Sequence, residues 1–342
     1  IVAGLSAEQI AIEGPEWYEE NRVYQMLGKQ VTSVDMDTKE VLLDSGEKIQ
    51  FTRLIYALGS ECFIPPISGS DLPEVAAIRR LSDVEKVEKL MENAGSAVVI
   101  GGGVLGLEAA WELKKAGLSV TVLEAAPILM GRQLDTGSAE ILKEMAAKQG
   151  VTIRTGVSVE AIEGDGHVSG VRLADGETVP AEMVIISAGV RANTELARKM
   201  DLEIGRAVKT DSHMATNVPG VYACGDCAEY EGANFAIWPE AVEQGRIAGA
   251  NAAGEELEYE PVEAALTFHG MNTALFAAGD NGKNPNLLYK TVEFRDMGKG
   301  QYRKYFFLNN RLSGVIMIGD LSEMAKMSEA LKKHALYKDV IQ

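Results

Sequence analysis

An α/β protein with two strand–turn–helix domains, the first incomplete, and a small C-terminal α+β domain is the fold class this sequence predicts. Three observations carry it. A glycine turn at 101–106 lies between two apolar runs, a β-meander occurs twice at matched spacing, and the residues after 258 change to hairpin and helix patterning.

The glycine turn follows Ala97-Val98-Val99-Ile100 and precedes a second run, Val120-Thr121-Val122-Leu123, that ends in Glu124. Gly101, Gly103 and Gly106 fit G-x-G-x-x-G. The first permits a tight turn, the second lets backbone approach a pyrophosphate, and the third lets the helix pack on the strand. The helix then begins at Val104 and Leu105, where unpaired N–H groups and the positive end of the dipole favour phosphate. Leu105, Ala109 and Leu113 form its expected core stripe, with Gly117 as the stop. Glu124 lies 18 residues beyond Gly106. An acidic side chain there accepts hydrogen bonds from an adenosine ribose, which favours NAD over NADP. A glycine turn alone also occurs where nothing binds; strand, spacing, helix and terminal acid together predict a Rossmann-like domain.

The first meander reads Val31-Thr32-Ser33-Val34, Glu40-Val41-Leu42-Leu43, a turn at Asp44-Ser45-Gly46-Glu47, then Leu54 to Gly59. The second reads Val157-Ser158-Val159, Val171-Arg172-Leu173, a turn at Asp175-Gly176-Glu177, then Val184 to Gly189. Gly46 to Gly59 and Gly176 to Gly189 both span 13 positions, which predicts an internal duplication. Gly189 follows Gly101 by 88 positions, and the same count back from Gly59 falls upstream of residue 1. The expectation is therefore an N-terminally truncated first domain whose own fingerprint lies outside the chain.

The remaining elements follow in order. Gly14 to Glu20 opens a short helix, Cys62 to Gly69 is a proline-bearing linker, and Ser82 to Asn93 is a helix capped by Ser82. Helices are expected at Ser138–Lys148 and Thr194–Met200, a strand from Val218 running into Gly225-Asp226, and a helix from Trp238 with Pro239 in its first turn. Past the acidic stretch Glu255–Pro261, Tyr302–Leu308 and Leu312–Ile318 flank Asn309-Asn310-Arg311 as a hairpin, and Leu321–His334 is a helix. These give domains at 1–94 with 212–258, at 95–211, and at 259–342.

A length of 342 residues exceeds one ordinary core. A composition 46% hydrophobic and 24% charged is that of a globular protein. No apolar run approaches a membrane span and no signal peptide opens the chain, so no membrane partner and a cytoplasmic location are expected. A net charge of −17 argues against nucleic acid, which selects basic surfaces. Three cysteines make no disulfide framework.

Tyr56-Ala57-Leu58-Gly59-Ser60, the Gly101 fingerprint, Leu129-Met130-Gly131-Arg132-Gln133-Leu134-Asp135, Gly189-Val190-Arg191-Ala192-Asn193-Thr194 and Tyr222-Ala223-Cys224-Gly225-Asp226 together resemble the FAD-dependent pyridine nucleotide-disulfide oxidoreductases. Within that family the likeness is to NADH:rubredoxin reductases and the flavin-binding part of nitrite reductases. Leu58 stands where the family usually has Thr, and Ala192 where it usually has Pro. The resemblance implies FAD and NAD(H) as cofactors. It puts Ala57, Gly59 and Arg132 among the cofactor-binding positions and Asp226 on the flavin ribityl chain, with Gly225 giving its backbone close approach. Trp238 to Ala241 would place a helix N-terminus beside the flavin pyrimidine ring, where its dipole stabilises the negative charge of reduced flavin. Gly189 would sit under the nicotinamide, and Glu108 would be the glutamate near nicotinamide and flavin, the one catalytic side chain implied.

Cys224-Gly225-Asp226-Cys227 is formally C-x-x-C, but it straddles Asp226, and the four histidines are not at zinc spacing, so both thiols read as buried small residues and no metal is expected. The implied activity is transfer of a hydride from NADH to FAD and of electrons onward to a rubredoxin- or ferredoxin-like protein or a fused acceptor domain; a homodimer is compatible. A basic face for an acidic carrier is offered by Arg295, Lys299, Arg303 and Lys304, with Lys332, Lys333 and Lys338. The rival readings are an NADH oxidase, peroxidase or CoA-disulfide reductase with its cysteine upstream, and an NAD-binding module without activity.

Overall fold

The computed structural model describes residues 6–262, 265–296 and 298–341. They form two compact units, one of Ile64–Ala188 with 265–341 and the other of 6–63 with Gly189–Val262.

The first unit is built on a five-stranded sheet in the order Val75–Ala76, Met183–Ile186, Ser96–Ile100, Ser119–Glu124, Val151–Thr155. Every pairing is parallel. Val98, Val99, Val122, Val184 and Ile185 are buried, as strands covered on both faces require. From Ser96–Ile100 the chain winds outward through two strands, then returns to the other side of it with Met183–Ile186. The glycine turn thus leaves the carboxyl end of a strand at the topological switch point, where open α/β sheets bind ligands.

The C-terminal stretch adds a five-stranded antiparallel sheet in the order Ala265–Gly270, Thr273–Gly279, Arg311–Ile318, Gln301–Leu308, Lys290–Asp296, followed by helix Met324–Lys332. Asn309 and Asn310 both have positive φ, as a two-residue primed hairpin turn requires. The first hairpin, turning at Met271-Asn272, carries no comparable signal in its flanking residues and is found only in the structure. Phe268, Leu275, Tyr302 and Ile316 share one buried cluster with Val99, Leu107 and Leu142. That shared core is why the C-terminal stretch clusters with the fingerprint domain.

The duplication is visible in hydrogen bonds. Leu43 N–H donates to Glu47 O at 2.9 Å and Gly46 N–H to Leu43 O at 2.9 Å; Leu173 N–H donates to Glu177 O at 2.8 Å and Gly176 N–H to Leu173 O at 3.0 Å. Each copy is a three-stranded antiparallel meander: Val31–Asp35, Glu40–Leu43, Lys48–Gln50 in one, and Val159–Gly164, Val168–Leu173, Thr178–Pro180 in the other. In the second unit Leu54–Tyr56 then pairs in parallel with Val221–Ala223.

Four expectations change. The unit divisions fall after Phe63, Ala188 and Val262, not at 94, 211 and 258, because Val75–Ala76 joins the parallel sheet through Met183–Ile186 and Val190–Ala192 pairs with Ser60–Cys62. Ser82 does not cap its helix, which spans Leu81–Met91; the Asp83 carboxylate accepts from the N–H groups of Arg79 and Arg80 instead. Leu105 is 63% exposed, and the buried stripe is Leu107, Ala109, Ala110 and Leu113. Five of the seven residues of the expected basic face are ion-paired: Arg303 with Asp320 and Glu323, Lys304 with Asp135, Arg295 with Glu293, Lys299 with Asp296, and Lys333 with Glu329. Among the described residues, no helix is long and apolar enough to cross a membrane.

Candidate functional site

In the first unit the fingerprint is assembled mainly from backbone. Gly101 has φ 118°, outside the range of L side chains, and a Cβ there would collide with the Ser187 carbonyl. A Cβ on Gly106 would collide with the Gly101 carbonyl, so the helix Val104–Lys115 lies against the strand only because that position is bare. Gly103 is different: a Cβ there meets nothing within 4 Å. It is the N-cap, with no side-chain cap, so the first-turn N–H groups of Val104 and Leu105 are left for a ligand. The open space before Gly103 is a cradle that a side chain would fill, and it fits a pyrophosphate.

Glu124 ends the neighbouring strand. Its Oε2 accepts from Gly102 N–H at 2.6 Å and its Oε1 from Ala126 N–H at 2.7 Å. Two backbone donors fix the carboxylate, and each oxygen retains a lone pair for a sugar hydroxyl. The sequence reading missed Gly102. A Cβ there would meet Leu129 at 2.7 Å and Glu124 at 3.0 Å; the signal was the unbroken run of three glycines. Glu108, in the second turn of the helix, is half-buried. Burial pushes its carboxyl up, and the nearby His269 pulls the other way. Arg132 is exposed, and its carbonyl accepts from Asn281 Nδ2 at 3.1 Å.

In the second unit the site is made by long-range side-chain contacts. Gly225 (φ 75°), Asp226 and Cys227 form one 3₁₀ turn after the strand Val221–Ala223. Ser60 Oγ donates to Asp226 Oδ2 at 2.8 Å. Asn193 Nδ2 donates to Leu58 O at 2.9 Å and Asn193 N–H to Gly59 O at 3.0 Å, so the Ala57–Gly59 turn is tied to the chain after Gly189. Gly189 has φ 92° and open space before it. Trp238 is 69% exposed at the start of a 15-residue helix, Trp238–Ala252, and Ala241 in its first turn is half-buried. No side chain caps this helix, so its first-turn N–H groups are left for a ligand's acceptors.

Behind that turn runs a buried polar chain with no sequence signature. Gly225 N–H donates to Gln244 Oε1 at 2.9 Å, Gln244 Nε2 donates to Tyr259 Oη at 3.2 Å, and Tyr259 O–H donates to Glu240 Oε2. Gln244 and Glu240 are 2% and 1% exposed, and Glu240 Oε1 has no protein partner. Burial and the Glu240 contact push the Tyr259 phenol well above its ordinary value. Cys224 and Cys227 are buried thiols; burial pushes Cys224 up to about 11 and raises Cys227 too, the opposite of a reactive thiolate.

Together these features define a two-unit α/β protein with a glycine turn of dinucleotide-binding spacing in one unit and an uncapped helix start beside a Gly-Asp turn in the other. Comparison with known proteins places it. Residues 4–245 match the pyridine nucleotide-disulphide oxidoreductase family, and residues 265–335 match the rubredoxin NAD+ reductase C-terminal domain. The chain belongs to the pyridine nucleotide-disulphide oxidoreductase family. It is 32% identical over 331 residues to a nitrite reductase [NAD(P)H] of Bacillus subtilis, covering 96% of this chain and 41% of that protein. It is 27% identical over 341 residues to an NADH-rubredoxin oxidoreductase of Clostridium acetobutylicum, covering 99% and 85%. The crystal structure of the NADH:rubredoxin oxidoreductase from Clostridium acetobutylicum superposes with a TM-score of 0.77 at 27% identity, covering 97% of this chain and 82% of that one. The chain thus spans about two fifths of the length of the nitrite reductase it matches.

Proposed function

We propose that the chain is the NADH- and FAD-binding part of a reductase that delivers electrons to a small redox protein. The observation that carries the nucleotide half is Glu124, held by Gly102 and Ala126 N–H beside the open Gly103 turn. An NADP 2′-phosphate would meet that carboxylate at close range and in a fixed orientation, so NADH is the proposed donor. A bound flavin would supply the redox chemistry, accepting a hydride from NADH and handing electrons to the acceptor.

The chain's own residues orient and tune. The first turn at Val104 and Leu105 would hold phosphate and Glu124 would hold ribose, while Glu108, in the next turn of the same helix with its carboxyl pushed up by burial, is the carboxyl proposed to lie near the nicotinamide. Asp226, fixed by Ser60, would accept from ribityl hydroxyls. The Trp238 helix start supplies positive potential where negative charge develops. An acceptor of the rubredoxin type is supported by the C-terminal domain match and by the name of the Clostridium relative. The paired state of the basic side chains gives no reason to expect steering by charge. Buried free thiols at Cys224 and Cys227 suit the cytoplasm, the compartment proposed.

Titrating NADH and NADPH tests the reading. NADH is expected to bind at least tenfold more tightly, and Glu124→Ser to narrow the gap about tenfold, the equivalent of one lost charged contact. Equal affinities in the unmodified protein would remove the role given to Glu124.

A further inference from the structure

The stretch that follows Glu124 returns to the fingerprint. Met130 N–H donates to Gly102 O at 3.0 Å, so Gly102 has its N–H held by Glu124 and its carbonyl by Met130. Met130 has φ 46°, a region non-glycine residues avoid, and its own carbonyl accepts from Gln133 N–H at 2.8 Å and Leu134 N–H at 2.9 Å. A residue stays in that conformation only where its surroundings over-determine it.

Part of the surroundings comes from the C-terminal sheet. The loop 280–289, between strands Thr273–Gly279 and Lys290–Asp296, sends Lys283 Nζ to Gly131 O at 2.7 Å and Asn281 Nδ2 to Arg132 O at 3.1 Å. Lys283 is exposed, and partial loss of water against this turn pushes its amine down. The loop is itself fixed: Asp280 accepts from Gly282 N–H at 3.0 Å and from the Tyr289 hydroxyl, and the Tyr289 ring packs edge-on against Phe306 of the sheet. Hydrogen bonds and backbone therefore run without a break from the C-terminal sheet through Lys283 and Asn281 to Gly131-Arg132, Met130 and Gly102.

We propose that Lys283 and Asn281 are positioning residues for nucleotide binding: they hold the Met130–Arg132 turn, and through it Gly102 and the Glu124 carboxylate, in the conformation that accepts a pyridine dinucleotide. The C-terminal domain thereby sets NADH affinity as well as carrying the acceptor side. The inference rests on the nucleotide reading of the fingerprint above.

The test is NADH titration of the purified protein by fluorescence, with circular dichroism and thermal melting alongside. Lys283→Met and Asn281→Ala are each expected to raise the NADH Kd about threefold to tenfold, the equivalent of one lost hydrogen bond. Lys283→Arg keeps a donor and is expected to stay within about twofold. In steady state the loss falls on KM with kcat unchanged, a split that general loosening of the fold does not produce. Wild-type protein that fails to bind NADH overturns the nucleotide reading itself. Wild-type binding with unaltered Kd in both variants overturns this inference alone. Loss of the folded spectrum in Lys283→Met also overturns it, because an exposed side chain that only positions a turn is not needed for folding.

Discussion

The two candidate sites, one in each unit, are built from different material. At Gly101–Gly106 the decisive contacts are close backbone approaches, Gly106 on the Gly101 carbonyl and Gly101 on the Ser187 carbonyl, and the helix start is open. At Gly225–Asp226 the turn is held by Ser60 and Gln244, far away in sequence, and behind Gln244 stand Tyr259 and Glu240. A backbone site demands glycine and leaves a spacing that can be read. A side-chain site demands only that suitable donors and acceptors meet, and many sequences satisfy that.

The comparison breaks most readily at the glycines. Gly106→Ala forces the helix off the strand, because its Cβ would overlap the Gly101 carbonyl; a loss of about 3 kcal/mol and of NADH binding is expected. Gly225→Ala places its Cβ at an ordinary 3.6 Å from Ala241 and has only the left-handed backbone to contend with, at about 1 kcal/mol. Urea unfolding of both variants decides it, and a larger loss at 225 would reverse the contrast.

Tyr259→Phe probes the side-chain site. It leaves Gln244 Nε2 without its acceptor and strips Glu240, whose Oε1 already lacks a partner, of its remaining donor. Burial without partners costs about 2 kcal/mol, and Gly225 loses the fixed amide behind it. Urea unfolding unchanged within about 0.5 kcal/mol would show that the buried chain is not under load.

A smaller effect is expected where the C-terminal sheet meets the nucleotide domain. Asp135 caps the helix Thr136–Lys148 and receives Lys304. Burial pushes its carboxyl up, but the bonds from Lys304 and Ser138 outweigh burial and hold it below its ordinary value of 3.8. A depressed carboxyl gives stability that is fully present above the unfolded-state value and is lost as pH falls through the folded one. Asp135→Asn is therefore expected to cost about 1 kcal/mol at neutral pH, with the gap to wild type closing below about pH 4. Melting curves from pH 7 to pH 3 measure it; a gap that persists in acid would assign the loss to the cap alone.

Where the sequence was legible, the reason was local. Gly46 and Gly176 close the same turn with the same two hydrogen bonds, because a tight turn needs its glycine wherever it occurs. Arg303 and Lys304 misled for the opposite reason: their spacing marks a charged stretch, but Asp320, Glu323 and Asp135 come from other turns and helices to neutralise it.

By itself the sequence determined the parallel strand–turn–helix around Gly101, the duplicated meander, the hairpin at Asn309-Asn310 and the acid at Glu124, since each is fixed by period, by turn stereochemistry or by a glycine that nothing else can replace. The tertiary structure alone decided that the C-terminal sheet shares a core with the nucleotide domain, that Lys283 and Asn281 reach the Met130–Arg132 turn, and that Gln244, Tyr259 and Glu240 form one buried chain. Those contacts join residues from 15 to more than 150 positions apart, and no local periodicity records which distant polar groups will meet when the apolar faces close.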